Sequence, residues 1–164
     1  MIEAVGKSGG AMPEPRRLDL ALLPPGRGER FYLDRFMSEF GEDHDGTALI
    51  DAPTGHRLAV SSLLFTDHKT GKTKIDKEGR APYVPYIVKT IQEPDEIWMR
   101  AGHAGDLTLY LLARYLIGDK VTGIVTVFKA AGQVWEGWSG YQTTSMIYLE
   151  SKRTQGLLYR DPKR

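Results

Sequence analysis

Four cations, Lys72, Lys74, Lys77 and Arg80, crowd the segment just ahead of a short apolar stretch with helical spacing. A helix N-terminus turns unpaired N–H groups outward and attracts anions, so cations gathered at such an end point to a phosphate site. A solvated lysine-rich loop would have the same composition. Pro94 fixes the end of this helix, and a strand carrying Trp98 and Arg100 begins at once.

A second group of polar side chains ends the last β-like stretch before a helix. Thr143 and Thr144 stand where a strand turns into a helix. Their hydroxyls can cap that helix or, with its free N–H groups, meet a phosphate. Tyr141 precedes them on the same strand. Alternation puts Glu96, Trp98 and Arg100 on one side of the first strand of this region. Thr108, Tyr110, Leu112 and Arg114 share a side of the second. In the last strand Trp135, Gly137, Ser139 and Tyr141 are expected opposite Glu136 and Trp138. Aromatic rings set among Arg and Ser/Thr supply stacking surfaces and phosphate donors, which suits single-stranded RNA. Core packing is the commoner use of strand aromatics.

Other chemistry finds little support. Gly6-Lys7-Ser8 ends like a phosphate-binding loop but lacks the glycine and the strand that must precede it. Asp43-His44-Asp45-Gly46 lacks the remaining ligands of a calcium loop. His44, His56, His68 and His103 are scattered without zinc-ligand spacing, and no Gly-x-Ser-x-Gly elbow is present. With no cysteine, disulfides and thiolate metal sites are excluded. A net charge of +1 provides no overall field for nucleic acid, so any phosphate binding must be local.

The elements that must position these residues follow from periodicity. The 164 residues, 41% hydrophobic, suit one domain with a sizeable core. No apolar run approaches bilayer length, and the first residues lack the pattern of a signal peptide, so a soluble protein without a membrane partner is expected. Residues 1–17, rich in Gly and Pro, read as a flexible arm, and 18–164 as the domain. Leu33, Phe36, Met37 and Phe40 predict a helix over Glu29–Phe40, ended at Gly41. Extended stretches follow near Thr47–Asp51 and Arg57–Phe65. A second helix covers Pro82–Gln92, its prolines tolerable in the first turn. Strands are expected near Glu96–Arg100, Leu107–Ile117, Gly123–Lys129 and Gln133–Tyr141. A third helix near Ser145–Arg153, capped by Thr143 or Thr144, precedes a final edge strand around Leu157–Tyr159. The turns are short, which favours an antiparallel meander. The expected fold is α+β: a single domain with helices on one face of a roughly four-stranded antiparallel sheet.

The chain resembles a family. Leu22-Leu23-Pro24, Phe31-Tyr32-Leu33 with Phe36, Glu39-Phe40-Gly41, Lys74-Ile75 with Lys77, Gly79-Arg80, Pro94-Asp95-Glu96-Ile97-Trp98, and Arg153 with Gly156-Leu157-Leu158-Tyr159 carry the likeness. They are similar to the C-terminal domain of Mu-like phage head morphogenesis proteins. That domain is a second phage branch of the barnase–EndoU–colicin–RelE-like (BECR) nucleases. The resemblance implies two helices followed by a four-stranded antiparallel sheet, and RNA cleavage without metal or cofactor. A base would take the 2′-hydroxyl proton, cations would stabilise the phosphorane, and an acid would protonate the leaving 5′-oxygen, giving a 2′,3′-cyclic phosphate.

On that reading Lys74, Arg80 and Arg114 are candidate phosphate clamps, and Tyr141, Thr143 and Thr144 candidate contacts to the scissile group. Trp98, Arg100, Tyr110 and Arg153 are candidate RNA-binding residues. The base is unassigned, with His103 and His56 the available histidines. Partners would be RNA, including tRNA, and an immunity or phage-assembly protein. The location would be the bacterial cytoplasm, a virion or a delivered effector. Two rival readings stand beside it: a non-catalytic module that holds nucleic acid or a capsid-assembly partner, and an inhibitor that grips a host protein.

Overall fold

The computed structural model of the chain describes residues 10–41 and 46–164. The rejected P-loop-like and calcium-like segments lie largely outside the described residues. Helix α1 spans Glu29–Ser38 and buries Tyr32, Phe36 and Met37. The Phe36 ring sits edge-on to Phe65, 4.9 Å between centroids. Strands β1 (Ala48–Asp51) and β2 (Arg57–Val60) follow. The expected extension of β2 to Phe65 is replaced by a 3₁₀ turn over Ser62–Phe65, which Ser61 caps by accepting from the Leu63 N–H. A second 3₁₀ turn, Ala81–Tyr83, runs into helix α2, Val84–Gln92. Val84, Ile87, Val88 and Ile91 give α2 its buried side, each such side chain worth roughly 1.5–3 kcal/mol when fully buried.

The remaining elements are β3 (Glu96–Ala101), β4 (Leu107–Ile117), β5 (Lys120–Ala131), β6 (Val134–Thr143), α3 (Met146–Glu150) and β7 (Gly156–Arg160). The antiparallel meander β3 to β6 stands as expected, but the sheet has seven strands instead of four, in the order β1-β2-β6-β5-β4-β3-β7. The pairing of β2 with β6 is parallel and short, at Leu58↔Trp135 and Ala59↔Glu136. β7 is the edge strand beside β3. Among the described residues no helix is long and apolar enough to cross a membrane.

The helices do not all lie on one face. Helix α2 packs on the sheet and α1 packs against α2, over the larger core. Helix α3 covers the opposite face, where Trp98, Leu112, Val125, Val127 and Leu149 form a second cluster. Met12 joins that cluster, and Arg16 bridges to Tyr115 of β4. The described part of the presumed arm therefore lies against the sheet.

One irregularity decides where the site forms. Val127 faces Ser139, but Phe128 faces Gly137, so Trp138 is an extra residue in β6. This bulge reverses the alternation. Ser139 and Tyr141 face the α3 side, whereas Gly137 lies on the α2 side, contrary to the uninterrupted pattern expected from the sequence. A Cβ at Gly137 would come within 2.7 Å of Leu64 Cγ, and one at Gly140 within 3.1 Å of Ile87 Cγ2. The absence of both side chains lets the 3₁₀ turn and α2 approach the backbone of β6 closely. The segment between them, residues 66–80, is thereby drawn along the free edge of that strand.

Candidate active site

Residues 66–80 are folded by their own polar groups. The Asp67 carboxylate accepts from the Lys69 and Thr70 N–H groups, at 2.8 and 3.3 Å. These backbone bonds hold its carboxyl below the usual range. Thr66 pairs with Thr73, and the Lys74 N–H donates to the Phe65 carbonyl at 2.6 Å. Ile75 then plugs into the core, and two residues in the left-handed region follow, Glu78 at φ 58° and Gly79 at φ 71°. For Glu78 that conformation costs roughly 1–2 kcal/mol. Gln142 holds it in place by donating from Nε2 to the Glu78 carbonyl at 3.1 Å.

Side chains from this segment stand in for a missing neighbour strand along β6. His68 Nε2 lies 2.9 Å from the Trp138 carbonyl, and Arg80 Nη1 donates to the Gly140 carbonyl at 3.1 Å. Arg80 is therefore not an exposed first-turn charge. It is 4% exposed. Its Nε donates to the Lys77 carbonyl and its Nη2 to Glu78 Oε1, at 3.3 and 2.9 Å. Of the five guanidinium N–H groups, two are left after these bonds. Arg80 is the N-cap residue of the 3₁₀ turn that leads into α2, and its side chain carries the cation across to the sheet.

Against β6 these residues enclose a cavity of 310 Å³, lined by Lys74, Glu78, Arg80, Ser139, Tyr141, Gln142 and Tyr148. The Arg80 guanidinium lies 6.0 Å from the Tyr141 ring centroid. The Tyr141 and Tyr148 hydroxyls are 2.6 Å apart. Burial, then the bond with Tyr148, pushes the Tyr141 phenol well above its ordinary pKa, so it keeps its proton. Gln142 Oε1 is buried without a partner. The cavity thus combines a carboxylate, two cations, a pair of phenols and a free acceptor. Such a set can bind a phosphate diester and move a proton on each side of it.

The sequence candidates separate. Lys74, Arg80 and Tyr141 meet at the cavity; Arg114, Thr143 and Thr144 do not line it. Arg114 donates instead to the Met12 and Pro13 carbonyls. Thr143 accepts from the Ser145 N–H, Ser145 is the actual N-cap of α3, and Thr144 is exposed. Trp98 is fully buried and donates from Nε1 to Glu96 Oε1, so it offers no face to a base. Arg153 is 5% exposed and ion-paired to Glu96 at 2.7 Å and to Glu150 at 3.0 Å. Arg100 and Tyr110 remain half-exposed on the sheet. His56 packs edge-on to Trp135, and His103 is exposed in the β3–β4 turn; neither lines the cavity. Glu78, Gln142 and Tyr148 were missed, and Ser139 was placed on the strand face but not singled out. The Glu-Gly pair at 78–79 was the available signal for Glu78, since it marks a turn that can project the preceding side chain.

A second cleft also gathers cations, Arg16 and Arg164 beside Tyr159 and Asp161. Both arginines are paired with the fully buried Asp95, which ties residues 16 and 164 to the start of β3.

Residues 35–160 match the family model described as phage-Barnase-EndoU-ColicinE5/D-RelE like nuclease2. The chain belongs to this family. The match includes every residue lining the cavity and leaves out the segment that Arg114 anchors. No curated protein and no solved structure matches the chain. The expected membership in a phage BECR nuclease branch is therefore correct.

Proposed function

We propose that this member of the nuclease family cleaves RNA at the Lys74–Arg80–Tyr141 cavity, without metal, by attack of the 2′-hydroxyl. The supporting observation is that a carboxylate, two cations and a phenol pair converge on one 310 Å³ space. Glu78 takes the 2′-hydroxyl proton, and the bond from that oxygen to phosphorus forms. The two free N–H groups of Arg80 and the Lys74 ammonium neutralise the phosphorane oxygens. The bond to the 5′-oxygen then breaks, and that oxygen takes the phenolic proton that the tyrosine pair does not share internally. A 2′,3′-cyclic phosphate and a 5′-hydroxyl result. Proton transfer of this kind contributes about 10²–10⁴-fold, and each charge-stabilising donor on the order of 10²–10³.

The test is incubation of the protein with total RNA, tRNA and an all-deoxy control in EDTA, followed by end-group analysis. Cyclic-phosphate ends on RNA and an intact DNA control are expected. Activity that vanishes in EDTA and returns with a divalent ion overturns the mechanism.

A binding module is the second reading, favoured by the three bonds that already occupy Arg80. Salt-sensitive RNA binding with no cleavage of any RNA would select it. Capture of a phage-assembly or immunity protein belongs with that reading.

A further inference from the structure

Cations and rings alternate from the cavity across the α3 face of the sheet. Arg80 lies against Tyr141, Tyr141 meets Tyr148 with ring centroids 6.1 Å apart, and Lys152 Nζ stands 4.8 Å from the Tyr148 ring. The same Lys152 Nζ is 5.6 Å from the Tyr110 ring, and the Arg100 guanidinium is 4.8 Å from it. Among the described residues neither Lys152 nor Arg100 has a carboxylate partner. Rings, and for Arg100 also the Ser151 carbonyl that its Nη2 donates to at 2.8 Å, hold these two cations in place without cancelling their charge. Register sets the sheet part of this ladder in adjacent rows: Trp98, Tyr110, Val127 and Ser139 form one cross-sheet row, and Arg100, Thr108 and Lys129 the next.

Beside the ladder stands an apolar side chain for which the fold has no use. Ile147 is 87% exposed, one residue from the 39% exposed Tyr148. Cations without counter-ions, next to exposed apolar and aromatic surface, fit a polyanion whose bases are free to leave their stack.

We propose that the RNA leaving the cavity lies unpaired along this ladder, its phosphates at Lys152 and Arg100 and its bases on Tyr148 and Ile147. The substrate is therefore single-stranded beside the cleaved bond. This inference rests on the cavity being the nucleic-acid site, but its test does not require cleavage.

The experiment measures fluorescence anisotropy of a short RNA oligonucleotide with 2′-deoxy substitutions that block cutting, single-stranded and as a duplex, with wild type, Lys152→Ala, Ile147→Ser and the double variant. Lys163→Ala, in the C-terminal tail, controls for the loss of one charge. The single strand should bind at least about tenfold tighter than the duplex. The double variant should lose roughly tenfold with an unchanged melting temperature, because Ile147 is exposed and Lys152 is in no described ion pair. Lys152→Ala alone should reduce the slope of log affinity against log salt by about 0.7. Equal binding of strand and duplex, or wild-type binding by the double variant, overturns the proposal and assigns Ile147 to a protein contact. Tight, ladder-dependent binding by a protein that cuts nothing keeps this inference and removes the cleavage reading.

Discussion

The hydroxyls of Tyr141 and Tyr148 stand 2.6 Å apart at the cavity wall, although one residue belongs to β6 and the other to α3. One phenolic proton is spent in that bond and the second is left for a ligand. Tyr148→Phe removes one proton and one acceptor from a partly exposed position. Activity per folded molecule should fall at least about tenfold, with little change in thermal denaturation. Unchanged turnover would exclude the pair from proton transfer.

Glu78 combines a charged side chain with a backbone conformation that favours glycine. Glu78→Gly relieves the strain but adds freedom to the unfolded chain, terms of similar size near 1 kcal/mol. The Glu78 end of its ion pair with Arg80 is exposed, so that pair adds little. The melting temperature should thus stay the same or rise, while cleavage falls about a hundredfold or more. Glu78→Gln, measured beside it, should lose the same activity without the gain in stability.

Arg80 has structural and electrostatic work at once. Arg80→Ala leaves the Gly140 carbonyl without its donor, at a cost of about 1–3 kcal/mol, so denaturation should shift down by several degrees. Turnover corrected for the folded fraction should still fall by roughly tenfold or more. Arg80→Lys should recover part of the charge effect but little of the stability, because an ammonium cannot bridge these separated acceptors. A fall in activity that tracks the folded fraction would leave Arg80 a purely structural residue.

Trp98 and Arg153 should behave as core residues. Removing Arg153 leaves Glu96 buried without its closest partner, a change worth about 3–5 kcal/mol. Arg153→Ala should lower stability accordingly and leave RNA affinity per folded molecule unchanged. A selective loss of affinity in a well-folded variant would return Arg153 to the binding surface.

Alkaline pH should unfold the protein through its buried phenols. Burial raises the pKa of Tyr115, Tyr141, Tyr86 and Tyr159. Their stabilising contribution is complete below the unfolded-state pKa of about 10. It is lost as pH rises from there through the folded-state values, because the unfolded chain binds fewer protons in that window. Chemical denaturation from pH 8 to 11.5 should show flat stability and then a decline. Tyr115→Phe should make the decline shallower.

The meander and its flanking helices were legible because hydrophobic period changes at Pro94 and the turns are short. Lys74, Arg80 and Tyr141 were legible as residue types near element ends. The bulge was not, since Trp138 fits either face until its partners on β5 are known. Trp98 was misread because alternation gives a face without saying what covers it, and Arg153, taken from the family likeness, because nothing in the sequence pairs it with the buried Glu96. Glu78 was hidden by the cations around it, and its importance depends on a backbone conformation that composition does not disclose.

The bond between Arg80 and Gly140 joins residues 60 positions apart. One wall of the cavity comes from the middle of the chain and the other from β6 and α3 near its end. During synthesis the first wall emerges with nothing to lean on, its guanidinium in water and its left-handed turn unsupported. The cavity closes only after Tyr148 has followed Arg80 out of the ribosome, so the earlier wall waits for the later one before the site can form.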